Sequence, residues 1–429
     1  MRSTVILKAL LLLACAFGAL FAEDLPVAIL HTARAMHTNR DLLKTLPFYT
    51  CLETITRSRS VSGRQKPRRA DVVQVDVGVG ADREIYSWPG QSTFAPGDIS
   101  GLVSHGFLFT GLFESFAANL FVSGHGIAKL AGEETLDGRQ ALHFTYTVPS
   151  LENRWVIDWY GARGLLGEEG DFWVDKTDYK LLRMKVRANT IPPNVPLKAV
   201  NTTVDYQVLS VNGRPALLPK QAQVIAVEIN GAVLQDDEAF SHCHVFEAES
   251  RLASSEDLNR VLTQYESNRG ILPPGLTLRI SLQTPVHADY ARIGDAVEAA
   301  LDSALRISTG TIAPKGSIAR GRIREFTKLE DPPNTWAVGL EFDELDWPGH
   351  SYVFLAEITG MQHLGGLSDK VYHRFSSTSD PMIGSLYSGS EESSWLTEIP
   401  GTARFFLQNT RELPIGLQMT WRTRMLTHP

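Results

Sequence analysis

The stretch Asp171-Phe-Trp-Val-Asp-Lys-Thr-Asp-Tyr-Lys-Leu-Leu-Arg-Met-Lys-Val186 predicts a β-hairpin that turns at Lys176–Asp178. Aromatic and branched side chains stand on both sides of a short polar turn, as hairpin strands require. Upstream, valines alternate with polar residues or glycine over 73–79, which is the two-residue period of a half-buried strand. These patterns predict an antiparallel meander in a chain that is mainly β.

More strands are predicted on both sides of this hairpin. They are Glu84–Trp88, Leu142–Thr147, Trp155–Tyr160, Thr202–Val211, Ala222–Ile229 and Phe240–Glu249. Between them stand residue pairs that favour tight hairpin turns, namely Asp137-Gly138, Asn212-Gly213 and Asn230-Gly231. Before the first strand, Leu30–Arg59 is predicted to be a helix that Pro47 kinks.

One segment inside the meander has the period of a helix instead. From His105 to Phe121, apolar side chains recur at helical spacing, at Phe109, Leu112, Phe113, Phe116 and Leu120. Two interpretations are open. The helix completes an ordinary core, or it is a removable lid over the apolar face of an incompletely closed sheet, where apolar burial could hold an acyl chain. These five side chains are the candidate ligand-binding residues.

The first 22 residues are predicted to be a secretory signal peptide. Arg2 and Lys8 precede an apolar run of 14 residues, 9–22, and polar residues follow it. That run is shorter than the roughly 20 residues that span a bilayer. A second interpretation takes Leu12-Leu-Ala-Cys15 as a bacterial lipobox with Cys15 lipidated, but the apolar run before Cys15 is very short. Export to the periplasm or cell envelope of a bacterium is expected.

Two cysteines remain beyond the signal peptide, Cys51 and Cys243. An even pair in an oxidising compartment favours a disulfide, and the alternative is two buried free thiols. The bond would close a loop of 192 residues and stabilise the fold by about 3–5 kcal/mol in the chain-entropy model. We therefore predict a disulfide between Cys51 and Cys243.

A second β unit is predicted in the last third of the chain. Ser254–Arg269 is polar with helical periodicity, and the glycines and prolines of 270–275 mark a boundary. Strands are then expected at Leu276–Leu282 and Trp336–Asp343, with a reverse turn at Pro314-Lys-Gly316 and strand-like alternation over 401–421. The small polar residues of 375–380 and 388–394 predict surface loops.

Composition and motifs exclude several functional classes. The chain has 429 residues, of which 43% are hydrophobic and 21% charged, and its net charge of −7 argues against nucleic-acid binding. It contains no Gly-x-Ser-x-Gly, His-Glu-x-x-His or Cys-x-x-Cys motif. The best metal candidate, His242-Cys-His244, offers two histidines, which are too few for a zinc site. No enzymatic activity, cofactor or metal site is predicted.

The helix, the meander and its inserted apolar helix together resemble the outer-membrane lipoprotein carrier (lipoprotein-sorting) superfamily. Gly170–Met184 looks like the strand pair of that superfamily. Tyr49-Thr-Cys51 and Cys243-His-Val-Phe246 are similar to motifs of exported bacterial proteins of unassigned role. The resemblance covers about 30–250. It implies an antiparallel unclosed half-barrel with a helical lid, and a role in handling lipoproteins or lipids in the envelope.

The C-terminal part resembles the β-barrel domain of type IV secretion and conjugation channel proteins. The matching residues are Leu272-Pro-Pro-Gly275, Gly294-Asp295, Ile312–Ser317 and Gly321, within roughly 271–360. The resemblance implies a smaller β-barrel-like domain. The membrane-spanning extensions of that family are not evident, so channel formation is not implied.

These observations divide the chain into a signal peptide 1–22, a half-barrel domain 23–250, a helical linker 251–270 and a β-barrel-like domain 271–429. The predicted function is the binding of an apolar ligand, such as a lipid or a lipoprotein acyl chain, in the first domain. The alternative is a non-catalytic scaffold or assembly module of an envelope complex, with other envelope proteins as partners.

Overall fold

The computed structural model describes most of the chain between residues 27 and 425. The described ranges are 27–44, 49–60, 65–79, 84–91, 94, 99–103, 108–109, 115–124, 126–149, 152–153, 155–159, 161–211, 213–245, 270–307, 310–329, 334–362, 401–408 and 410–425. No helix within these ranges is both long and apolar enough to cross a membrane. The predicted signal peptide, the predicted linker 251–270 except Gly270, and the predicted loops 375–380 and 388–394 lie outside the described residues.

The first half of the chain builds an open antiparallel sheet of ten strands, here called the first sheet. Helix α1 spans 27–44 and precedes the strands. The strands are β1 Tyr49–Ser60, β2 Arg68–Val79, β3 Glu84–Ser87, β4 Ile127–Leu136, β5 Arg139–Val148, β8 Glu168–Asp175, β9 Leu181–Ala188, β10 Leu197–Val211, β11 Arg214–Glu228 and β12 Val233–Val245, and a separate hairpin consists of β6 Val156–Trp159 and β7 Ala162–Leu165. Their order is β3-β2-β1-β12-β11-β10-β9-β8-β5-β4, so β1 and β12 pair inside the sheet.

The predicted hairpin and the mainly β class are confirmed. β8 and β9 pair antiparallel with Phe172 opposite Met184, and the chain turns at 176–178. Asp137 and Gly138 have φ of 49° and 81°, the positive values that a type I′ turn between β4 and β5 needs.

The helix predicted at Leu30–Arg59 is wrong in its second half, because strand β1 begins at Tyr49. Inward-facing side chains of β1, among them Cys51, Ile55 and Arg57, are buried, while their neighbours are half-buried. This is the period of a strand, and the β-branched threonines of the segment favour it.

The helix predicted at His105–Phe121 is also shorter in the structure. Its described helical part, here called α2, is an α-turn at Ser115–Ala117 that continues as a π-turn over Ala118–Val122. Phe109 is not helical, because its backbone N–H donates to the carboxyl group of Asp236 on β12. Leu112 and Phe113 lie outside the described residues.

The C-terminal third forms a nine-stranded sheet, here called the second sheet. Its strands are β13 Gly270–Ile271, β14 Thr277–Leu282, β16 Ala296–Leu301, β19 Ile318–Leu329, β20 Thr335–Trp347, β21 His350–Val353, β22 Leu355–Met361, β23 Ala403–Gln408 and β25 Gln418–Arg424, and the short pairs are β15 Val286–His287 with β24 Glu412–Leu413 and β17 Leu305–Ile307 with β18 Gly310–Ala313. The sheet curls, because β21 and β22 lie near its opposite ends although only Phe354 separates them in the chain. The predicted turn at Pro314-Lys-Gly316 is present, with φ of 85° at Gly316.

The two sheets are joined at the edge of β2. The N–H of Gln74 donates to the carbonyl of Ile293, and the N–H of Ile293 donates to the carbonyl of Val72, both at 2.8 Å. Arg324 of β19 adds a bond from Nη2 to the carbonyl of Leu102 at 3.1 Å. Since β3 covers only the end of β2, Ile293 occupies ladder positions that β3 leaves open.

Gly294→Ala is expected to weaken this joint. Gly294 has φ of 102°, and a Cβ there would lie 2.4 Å from the carbonyl oxygen of Gln74. Gly349 has a similar φ of 79° but open space around it, so Gly349→Ala is a matched control. Both substitutions carry backbone strain, but only the first also forces atoms apart. In urea unfolding, we expect Gly294→Ala to cost about 1–3 kcal/mol more than Gly349→Ala; equal costs would contradict the tight approach.

Candidate functional site

The inner face of the first sheet, meaning the face that carries its buried side chains, is crossed by one straight row of residues. In strand order from β12 to β5, the row consists of Glu238, Ala222, Val204, Met184, Phe172 and Phe144, each directly opposite the next. All six side chains are buried. This set, here called the central row, is apolar except for the carboxyl group at one end.

Helix α1 is attached to the turn of the β8–β9 hairpin. The side chain of Asn39 donates to the carbonyl of Tyr179 at 2.9 Å and accepts from the N–H of Leu181 at 2.8 Å. Arg40 Nε donates to the carbonyl of Phe121 at 2.9 Å, which ties α1 to α2. The two helices therefore form a connected cover that is not part of the sheet.

Short helix α2 lies over the apolar end of the central row. The ring of Phe121 meets Phe172 edge-on with centroids 5.3 Å apart, and Phe172 stacks on Phe144 at 4.8 Å. Phe116 meets Trp155, the residue just before β6, edge-on at 5.1 Å. Of the sequence-predicted site residues, Phe116 and Leu120 are buried here, and Phe109 is half-buried against the same core.

A buried carboxyl group faces α2 from β8. Glu168 accepts hydrogen bonds from the Tyr146 hydroxyl at 3.1 Å and from the Asn119 amide at 3.5 Å. Burial raises the pKa of Glu168 to about 7, although both hydrogen bonds oppose the rise. One of its two donors thus belongs to the cover, and the other to the sheet.

A second group of charges lies at the opposite end of the inner face, on β1, β2 and β12. Arg57 donates to Asp71 through Nε at 2.6 Å and through Nη2 at 2.7 Å, and both side chains are buried. Asp236 stands directly across the strand pair from Arg57. Burial raises the pKa of Asp236 to about 8, against the opposing charge of Arg57.

Glu53 and Glu238 form a buried acid pair next to this ion pair. Their relative exposures are 4% and 2%, and the two carboxyl groups are in hydrogen-bond contact, which requires a shared proton. Burial raises the pKa of Glu53 to about 8. The pKa of Glu238 lies well above its ordinary value, mainly because of burial and further because of the nearby charges of Glu53 and Asp236. Apart from the shared proton, no donor among the described residues reaches either oxygen of Glu238.

These buried acids predict that stability falls as the pH rises. A carboxyl group whose pKa is raised on folding stabilises the folded chain most at a pH below its unfolded pKa, which is near 4. This stability is lost as the pH rises through the folded pKa, which is about 7–8 for these groups. We expect the midpoint of thermal unfolding to fall by roughly 5 °C or more between pH 6 and pH 9. Glu238→Gln should reduce this slope. A midpoint that is flat over the interval would contradict the assignment.

The predicted disulfide is present, between Cys51 of β1 and Cys243 of β12. Because Cys243 is in the disulfide, it is not a free thiolate that could bind a metal ion with His242 and His244. His244 Nε2 lies 3.0 Å from the Thr50 hydroxyl. In the described part of the chain, no group of three metal-ligating side chains comes together.

Sequence reasoning missed the buried acids of the inner face. Glu53 and Arg57 stand at the same two-residue spacing as the buried Cys51 and Ile55, so the strand period of β1 places all four on the inner face. The signal was hidden because the segment was predicted to be a helix. Glu168 and Glu238 lie within or next to predicted strands, but no local pattern distinguishes them from solvated acids.

Comparison with solved structures finds distant similarities over about half of the chain. A DUF1329 family protein from Desulfovibrio piger matches with 13% identity and a TM-score of 0.30, over 52% of this chain and 95% of its own. A LolA superfamily protein from Nitrosomonas europaea matches with 8% identity and a TM-score of 0.26, over 52% and 97%. A putative outer membrane lipoprotein-sorting protein domain from Vibrio parahaemolyticus matches with 9% identity and a TM-score of 0.27, over 53% and 97%.

No family model matches the sequence. No curated protein matches it either.

Proposed function

We propose that the chain is an exported, non-catalytic binding protein that holds an apolar ligand, such as a lipid or a lipoprotein acyl chain, on the inner face of the first sheet. The observation that carries the proposal is the central row, whose apolar end is packed against α2, where Phe121 meets Phe172. A cover outside the sheet can move without breaking a strand ladder. Ligand sites are mostly apolar with a few placed polar groups, and Glu168 and Tyr146 supply such groups here.

The binding residues of this proposal come from both the cover and the sheet. Phe109, Phe116 and Leu120 supply the cover side, with Leu112 and Phe113 assigned to it from the sequence alone. The proposal also includes export through the 1–22 signal peptide, an envelope location and a first domain that ends near 250.

A titration with a neutral long-chain alcohol tests the proposal on the full exported chain. Ala222→Leu adds a bulky side chain to the middle of the central row, and Ala319→Leu adds the same atoms to the buried face of the second sheet. By calorimetry we expect saturable binding that Ala222→Leu weakens at least tenfold and Ala319→Leu leaves unchanged. Absence of saturable binding, or equal effects of the two variants at equal stability, would argue against the inner face as the site.

A further inference from the structure

The central row has the dimensions of an extended single chain with one polar end. Glu238 lies on β12 and Phe172 on β8, four strand steps away. At about 4.8 Å per step, the two residues are roughly 19 Å apart. Between them, Ala222, Val204 and Met184 offer no polar side-chain group. A ligand that follows the row from β8 would therefore bring its head group to Glu238.

The described surroundings of Glu238 do not supply the donor groups that a buried carboxyl group needs. Apart from the proton shared with Glu53, no donor in the described part of the chain reaches its two oxygens, although the side chain is almost completely buried. Arg57 does not donate to either oxygen of Glu238, and two of its N–H groups are bonded to Asp71. Buried polar groups without partners are rare in native structures and mark strain, catalysis or a missing ligand.

The charge balance at this end selects the kind of head group. Glu53, Glu238 and Asp236 are buried around one engaged arginine, so the site has an excess of acidic groups. A primary ammonium carries three donors and a positive charge, which matches the two open oxygens of Glu238 and its partner Glu53. A carboxylate head group has no N–H or O–H to donate to these oxygens.

We propose that the ligand is a single-chain cationic amphiphile, with its ammonium head group between Glu238 and Glu53 and its chain along the central row to Phe172. This inference rests on the proposed function and names its ligand class. A contact lies at each end of the row: the backbone N–H of Phe109 donates to Asp236 beside the head-group end, and Phe121 of α2 packs on Phe172 at the tail end.

Three ligands with the same chain, dodecylamine, dodecanol and dodecanoate, test the inference at pH 7 and below their micelle concentrations. For the full exported chain we expect dodecylamine to bind at least tenfold more tightly than dodecanol, and dodecanoate to bind most weakly. In Glu238→Gln, the amine and the alcohol should bind equally, with the alcohol affinity unchanged. Glu298→Gln makes the same change at a half-exposed position of the second sheet and should keep the amine preference.

The outcomes separate the two proposals. Binding of all three ligands without an amine preference, or a preference that survives in both Glu238→Gln and Glu53→Gln, would overturn the cationic head-group site and leave the apolar site standing. Binding of none would overturn both. Thermal unfolding of each variant shows that it is folded, and removal of a buried acid should not lower the midpoint.

Discussion

Arg57→Met is expected to lower the free energy of unfolding by about 3–5 kcal/mol. Arg57 is 1% exposed, donates two hydrogen bonds to Asp71 and stands opposite Asp236. The methionine would fill similar space but leave two buried carboxyl groups without their cation. Removal of one partner from a buried ion pair costs far more than the pair itself contributes, because the other charge stays desolvated. Urea unfolding at neutral pH measures the loss.

Two control variants distinguish this explanation from a simple packing defect. Lys176→Met breaks the half-exposed pair with Glu133 and should cost less than about 1 kcal/mol. Arg57→Met combined with Asp71→Leu removes both buried partners and should recover part of the loss. A cost of Arg57→Met no larger than that of Lys176→Met would contradict the buried ion pair.

Loss of the Cys51–Cys243 disulfide is expected to have an effect of similar size. The bond joins β1 to β12, which are neighbours in the first sheet and are its first and last strands in chain order, and it closes a loop of 192 residues. In the chain-entropy model such a loop contributes about 3–5 kcal/mol by restricting the unfolded chain. The Cys51→Ala/Cys243→Ala variant should therefore unfold at a lower urea concentration than the wild-type chain.

Reductant provides the matched control for this prediction. It should lower the unfolding midpoint of the wild-type chain to near that of the double variant, and it should leave the double variant unchanged. If reductant shifts both proteins equally, or neither, the disulfide does not stabilise the fold as described.

Local sequence patterns predicted the features that depend on neighbours in the chain. The Asp171–Val186 hairpin has its period, its turn residues and its side-chain types in one stretch, and the structure contains it. The Asp137-Gly138 turn follows from the tolerance of these two residues for positive φ. Cys51 and Cys243 could be paired over a long distance because the sequence beyond residue 22 contains no other cysteine.

Features that depend on distant residues could not be predicted in the same way. The contact of Ile293 with β2 is made by backbone groups, which every residue carries, so no side-chain pattern in the sequence predicts it. Glu238 meets Glu53 because β12 pairs with β1 and not only with its chain neighbour β11. Phe109 leaves the predicted helix because Asp236, far along the chain, binds its N–H.

A photo-crosslinking map tests the central claim, that an apolar ligand binds on the inner face of the first sheet beneath α2. The probe is a neutral long-chain alcohol with a diazirine in its chain, applied to the full chain with and without excess unlabelled alcohol. We predict competed adducts in the peptides that contain β5, β8 and α2, at or near Phe144, Phe172 and Phe116. Competed adducts confined to 270–425, or labelling that excess alcohol does not reduce, would contradict it.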